Sequence, residues 1–139
     1  MANYGGLRDG LKTRLETVSA FKVVYDTLPD TVVSPCAVVS PGSPVVEYHE
    51  SMAGSAGGLQ EFRFEIIALT GRFDSASSQN VLDALISGTG SVITAVEGDK
   101  TLGGAAVDTT VDSARDYGTV MVDGVPYWGV RFLVTILAR

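Results

Sequence analysis

Residues 119–137 read TVMVDGVPYWGVRFLVTIL and contain the strongest hairpin signal in the sequence. The Asp123-Gly124 pair predicts a two-residue hairpin turn, because such turns need residues that tolerate positive φ. After the turn, large apolar side chains occupy every second position, which is typical of a strand with one face in the core. These residues are Trp128, Val130, Phe132, Val134 and Ile136. Residues 119–137 therefore predict a hairpin whose second strand lies against a hydrophobic core.

More strands are predicted upstream of this hairpin. Residues 59–70 first alternate apolar with charged side chains and then become apolar on both faces, so we expect a long central strand. Residues 107–117 alternate as well, and residues 21–25 are rich in β-forming side chains. A second hairpin is predicted at residues 36–49, because prolines and a glycine at residues 41–44 mark a turn in its middle.

Two main helices are predicted from apolar residues at helical spacing. The first covers residues 3–18, with leucines four residues apart and Asn3 as its N-cap. The second begins with a cap at residue 74 or 75, ends near residue 87, and has Gly88 just beyond its end. A short helical turn is predicted at residues 91–97.

The order of these elements predicts an α+β fold, because helices and strands are segregated rather than regularly alternating. We expect a mostly antiparallel sheet of four to six strands, with two main helices packed on one face. A length of 139 residues fits a single domain, residues 1–139. The other face of the sheet should meet water or a polar partner, since it carries charged residues. These are Glu61, Arg63, Glu65, Asp108, Asp112, Asp116 and Arg131.

Composition limits the classes of partner. The formal net charge of −6 disfavours a protein that wraps nucleic acid, since phosphate binding needs clustered cations. An acidic lining would still let a duplex pass without binding. No apolar run approaches the roughly 20 residues that span a bilayer, and the first residues lack signal-peptide features, so we expect a cytoplasmic protein without membrane contact. Cys36 is the only cysteine, which excludes an internal disulfide.

Catalytic templates find little support in this sequence. His49 is the only histidine, so any triad or metal site of the common types would have to include it. Asp108, Asp112 and Asp116 stand four residues apart, but on a strand this spacing is about 13 Å, too far for a carboxylate pair. We interpret them as an acidic stripe that faces water or a lumen. We therefore expect no enzyme, no metal and no cofactor.

Residues 50–58 predict a surface loop, because the MAGSAGG sequence at residues 52–58 has few side chains large enough to pack. Such a loop is long enough to become ordered against a partner. Its candidate contact residues are His49, Glu50, Ser51, Met52 and Ser55.

Five segments together resemble a known family. They are GLRDGLKTRLETV (6–18), VVYDTLPDTVVSPCAVVSPG (23–42), FRFEIIALTGRFDSASSQNVLDALI (62–86), DKTLGG (99–104) and YGTVMVDGVPYWGVRFLVTILA (117–138). In element order and length, nearly the whole chain is similar to the tail terminator proteins of phages with long non-contractile tails, particularly those infecting actinobacteria. The likeness is one of overall pattern rather than of a defining motif.

The resemblance implies an α+β structural protein of the virion, located at the head–tail junction and assembled in the host cytoplasm. Six copies would form a ring on the tail tube protein, stop tube polymerisation and present a surface to the head connector. DNA would pass through the ring, and no cofactor would be involved. By the same pattern, the 41–44 turn and the 50–58 loop would make contacts along the tail axis. Asp108, Asp112 and Asp116 would face the channel.

Three other functions stay open at this point. The chain could be another head–tail junction or minor tail protein, or the tail-tube subunit, which would polymerise without a template. From a different class, it could be a small-molecule-binding module or a hydrolase, for which a monomer with a sizeable apolar pocket would speak.

Overall fold

The computed structural model describes residues 3–27, 29, 31–48, 59–72, 76–88 and 90–139. The helices are α1 (Tyr4–Leu15), α2 (Ala76–Ile86) and α3 (Val92–Glu97), and a 3₁₀ turn covers Leu102–Gly104. The strands are β1 (Val23–Tyr25), β2 (Cys36–Glu47), β3 (Gln60–Arg72), β4 (Asp108–Val122) and β5 (Val125–Ala138).

The five strands form one sheet in the order β1-β2-β3-β5-β4. The pairings β2–β3, β3–β5 and β4–β5 are antiparallel, and only the short β1 runs parallel to its neighbour β2. The predicted α+β class and mostly antiparallel sheet are therefore confirmed. The short helical turn predicted at residues 91–97 is confirmed as helix α3, which Ser91 caps by accepting a hydrogen bond from the Thr94 N–H at 3.2 Å.

The hairpin predicted at residues 36–49 is wrong. Residues 36–47 form a single strand, β2, which pairs with β3 on both sides of a register shift between Pro41 and Val46. Proline is tolerated here because β1 pairs only with residues 36–38, so the outer side of the second half of β2 has no neighbouring strand in the described part of the chain. A proline on such an edge loses no ladder hydrogen bond.

Residues 107–117 and 119–122, both predicted as β-structure, belong to one strand, since β4 runs unbroken from Asp108 to Val122. Two bulges interrupt its pairing with β5, one at residue 112 and one at residues 116–117. The predicted turn is confirmed, because Asp123 and Gly124 have φ values of 49° and 79° and join residues 122 and 125, which pair.

All three helices contribute buried side chains to one hydrophobic cluster, which they share with alternate residues of β3 and β5. Its largest members are Leu7, Leu11, Leu15, Phe64, Ile66, Leu82, Leu85, Phe132 and Ile136. The intervening residues of β3 face the other way and build a second, smaller cluster. That cluster contains Val32, Cys36, Val38, Ile67, Leu69 and Val122.

Local contacts explain where the helices begin and end. The predicted N-cap of α1 is confirmed, because Asn3 Oδ1 accepts hydrogen bonds from the N–H groups of Gly5 at 2.9 Å and Gly6 at 3.4 Å. Gly88 follows α2 with a φ of 97°, as predicted for a residue beyond a helix end. The predicted cap of α2 at residue 74 or 75 lies outside the described residues.

Candidate functional site

One half of the sheet face that carries the smaller hydrophobic cluster is lined with charged side chains, and we call it the charged face. Cross-strand partners project on the same side of a sheet, so the register of β3, β4 and β5 assigns these residues to it. It holds six carboxylates and three guanidinium groups. They belong to Glu47, Glu61, Arg63, Glu65, Asp108, Asp112, Arg115, Asp116 and Arg131.

The structure places Asp108, Asp112 and Asp116 together on this face. Asp108 is half-buried opposite Leu137, whereas Asp112 and Asp116 are exposed and sit in the two bulges of β4. A bulge inserts an extra residue into one strand and re-aims the side chains around it. The three aspartates therefore share a face, but their spacing is not that of a regular strand.

Asp112 is held by hydroxyl groups rather than by cations. Its Oδ2 accepts a hydrogen bond from the Thr135 hydroxyl of β5, and its Oδ1 accepts one from the Thr110 hydroxyl at 3.2 Å. These bonds fix the carboxylate over the sheet and leave its negative charge uncompensated by the partners described here.

Asp116 has a different environment. Its Oδ2 lies 3.7 Å from Arg115 Nε and 3.8 Å from Arg131 Nε. Arg115 and Arg131 are direct cross-strand partners, an arrangement in which like charges normally destabilise a sheet. Glu65 compensates from the neighbouring strand β3, because it forms an ion pair with Arg131 and lies 3.7 Å from Arg115 Nη2. Two carboxylates thus neutralise two guanidinium groups.

A second ion-pair group lies further along β3. Arg63 is 2.6 Å from Glu61 and 3.2 Å from Glu47, which are themselves partners across β2 and β3. Here a single guanidinium group faces two carboxylates. The acidic stripe expected from the sequence is therefore interleaved with arginines, although carboxylates remain in the majority over the whole face.

Two residues of the charged face, Ser113 and Arg115, do not follow from strict alternation along β4. Strict alternation puts both on the same side as Val111, but the bulge at residue 112 reverses the parity of the residues that follow. Ser113 and Arg115 consequently pair with Leu133 and Arg131 on the charged face. No local pattern signals such a bulge.

The other predicted contact region is only partly described. His49, Glu50, Ser51, Met52 and Ser55 lie outside the described residues. Residues 41–44 belong to β2 rather than to a turn, and Gly42 lies so close to Arg63 that an added Cβ would be 2.7 Å from the Arg63 Cβ. Gly42 therefore packs against β3, whereas Pro41, Ser43 and Pro44 are exposed.

A shallow cavity of about 330 Å³ separates the end of α1 from the start of α3. Arg14 contributes to its lining and donates a hydrogen bond from Nε to the Ala95 carbonyl at 2.9 Å. The remaining lining is mostly hydroxyl groups, from Thr17, Ser19, Ser91 and Thr94. Within the described ranges, no cluster of three or more His, Cys, Asp or Glu side chains has a geometry that could hold a metal ion.

None of the helices in the described part of the chain is long and apolar enough to cross a membrane. In comparisons with known proteins, no family model matches this chain and no curated protein is similar to it. The charged face is thus the feature from which a function is inferred.

Proposed function

We propose that this chain is a structural subunit of a phage virion. Six copies form a ring on the end of a long non-contractile tail tube, stop further tube polymerisation and join the tube to the head connector, while DNA passes through the ring. Two kinds of support favour this function. The five segments that resemble tail terminator proteins extend over nearly the whole chain, and the α+β architecture agrees with what that resemblance implies.

The observation that carries the proposal is the charged face. In a ring whose subunits turn this face inward, six carboxylates and three guanidinium groups per copy would line the channel. A wall with this excess of negative charge repels the phosphates of a duplex, so DNA can move along it without being retained. Asp112 and Asp116 are exposed, so their carboxylates would be open to such a channel.

A closed ring also needs two different contact surfaces on each subunit, since the contact between neighbours is heterologous. The two ends of the sheet meet this requirement because they are unlike. One end consists of β1 and the second half of β2, and the other is the outer backbone edge of the long strand β4, which has no neighbouring strand in the described part of the chain. We place the contacts between neighbouring subunits at these two ends.

Negative-stain microscopy of the purified protein, alone and mixed with tail tubes that lack their upper end, tests the proposal. We expect density that caps one end of each tube and prevents elongation when tube subunits are added. Free particles that leave tube growth unchanged contradict the proposal. Tubes formed by the protein alone would identify it as a tube subunit, and binding elsewhere on the tail would favour another minor tail protein.

A triple variant that carries Asp108→Asn, Asp112→Asn and Asp116→Asn tests the orientation of the face. If the face lines the channel, the variant still forms rings, because no subunit contact depends on these carboxylates. Loss of the ring in a variant that remains folded would place the face between subunits.

The cavity between α1 and α3 favours a second candidate, a small-molecule-binding module. Its volume of about 330 Å³ lies in the range of ligand sites, and Arg14 could pair with an anionic group. This function predicts a monomer whose Tm rises with a small anion, and that the rise is lost in Arg14→Gln. A protein that caps tubes and shows no such rise excludes it.

A further inference from the structure

We propose that Asp116 is a built-in counter-ion that prevents the Arg115–Arg131 pair from binding the phosphates of DNA. This inference rests on the proposed function, in which a duplex moves along the charged face. In this inference Asp116 acts on two particular arginines, in addition to adding to the net negative charge of the face.

The first step is the position of the two arginines. They are direct partners across β4 and β5, so their guanidinium groups emerge side by side on the charged face. Paired guanidinium groups are the usual protein ligands of phosphate, because each can offer two N–H donors to two phosphate oxygens. Without compensation, this pair would be the natural place for a DNA backbone to bind.

The second step is how the pair is compensated. Glu65 contacts both arginines from within the sheet, with only 15% of its side chain exposed. Asp116 contacts both from the solvent side, with 62% of its side chain exposed. A phosphate that approaches the pair would meet the negative charge of Asp116, whose carboxylate lies beside the Nε atoms of both arginines. Asp116 therefore occupies the side of the pair that a nucleic acid could reach.

The third step is the bulge that delivers this carboxylate. Asp116 has a φ of 58°, in the left-handed region that Asp and Asn tolerate better than most residues. On a regular strand, residue 116 would point away from residue 115. The bulge instead brings both onto the charged face, which places Asp116 beside Arg115 and Arg131.

Asp112 provides a matched control. It lies on the same strand and the same face and is also exposed in a bulge, but its described partners are the hydroxyls of Thr110 and Thr135. Asp112→Asn and Asp116→Asn change the net charge of the chain equally. Only the second leaves two guanidinium groups with a single carboxylate.

The experiment measures binding of a short fluorescent DNA duplex to the full chain by anisotropy at low ionic strength. We expect Asp116→Asn to bind the duplex roughly tenfold more tightly than Asp112→Asn, because only Asp116→Asn removes a counter-ion of the two arginines. The increase is modest because each surface ion pair is weak. Binding should weaken as salt is added. The double variant Asp116→Asn with Arg115→Gln has the net charge of the wild type and leaves one guanidinium group with Glu65, so its affinity should return to that of the wild type.

Equal affinities for the two single variants, or no binding by Asp116→Asn, would overturn the inference. Asn is compatible with the positive φ, and Asp116→Gly, which favours that conformation still more, provides a second variant if Asn perturbs folding. The duplex assay needs no tail tubes. A wild-type chain that caps tubes, while Asp116→Asn binds no DNA, refutes only this inference. A chain that fails to cap refutes the ring, whatever the duplex assay gives.

Discussion

Tyr117 donates a 2.6 Å hydrogen bond to the Asp83 carboxylate, and this bond attaches a bulge of the edge strand β4 to helix α2. The Tyr117 ring also lies 5.8 Å from that of Trp128, on the helix side of the sheet. Its neighbour Asp116 points to the opposite side, toward Arg131. Two adjacent residues in one bulge therefore hold the helix on one face and complete the arginine network on the other.

The Tyr117–Asp83 bond should be visible in the titration of the phenol. The bond and partial burial favour the protonated form, so the pKa of Tyr117 is raised. A group whose pKa is raised on folding contributes stability below its unfolded pKa of about 10 and loses that contribution as the pH rises further. We expect the pH titration of tyrosinate absorbance to show a high-pH component in the wild type that is missing in Tyr117→Phe. In Asp83→Asn, that component should move to lower pH, and an unchanged titration there would contradict the bond.

Arg131 and Arg115 should contribute unequally to stability, although both contact Glu65. Arg131 is the closer partner of this half-buried carboxylate, so Arg131→Ala should lower the free energy of unfolding by about 2 kcal/mol. Arg115 is 56% exposed and its contacts are near 3.7 Å, so Arg115→Ala should cost less than about 0.5 kcal/mol. Urea unfolding of both variants measures the difference. Equal losses would show that the two contacts with Glu65 are equivalent.

Gly129 should not tolerate a side chain. A Cβ at this position would lie 2.5 Å from Val120 Cγ2 and 3.0 Å from the Ala68 carbonyl oxygen. Because these neighbours belong to the packed sheet, Gly129→Ala should lower the free energy of unfolding by about 1–3 kcal/mol. Gly90→Ala is the control, since a Cβ there meets no atom within 4 Å. Similar unfolding midpoints for the two variants in urea would contradict the close approach.

Cys36 should be protected at neutral pH and should destabilise the fold in alkali. Burial raises the pKa of its thiol from 9.0 to about 11. The folded state therefore retains a proton that the unfolded state loses first, so stability is complete below pH 9 and falls as the pH rises toward 11. We expect wild-type protein to lose more unfolding free energy than Cys36→Ala over this interval. A thiol reagent should react with Cys36 of the native protein no faster than the protein unfolds around it. Rapid reaction at neutral pH would contradict this burial.

Several features of the fold were predictable because their signals are local. The leucine spacing of α1, the Asn3 cap and the alternation in β5 each depend on residues within a few positions of one another. The Asp123-Gly124 turn is equally local, since only the φ preferences of two residues matter. By contrast, the local propensity of the prolines in β2 predicts a turn, and this prediction is wrong. Only the absence of a neighbouring strand on that side, among the described residues, makes a continuous strand acceptable.

The candidate site was predictable in part. Alternation placed Glu61, Glu65 and Arg131 on one face. It succeeded because β3 is regular at these residues and every residue from 127 to 138 of β5 is paired with β3. It failed at Ser113 and Arg115, where a bulge changes the parity of β4. A bulge is set by how two strands fit along their length, which neither strand encodes alone.

The sequence alone predicts the class of the fold, the helix α1, the closing hairpin and the charged residues on one half of the second sheet face. Each of these follows from the period of side chains along a helix or strand, which is a local property of the backbone. Only the tertiary structure decided which charges meet. Glu65, Arg115, Asp116 and Arg131 come from three different strands, and their pairing depends on the register and on the two bulges. Ion pairs act over a few ångströms, so a shift of a single residue in register would have produced a different face.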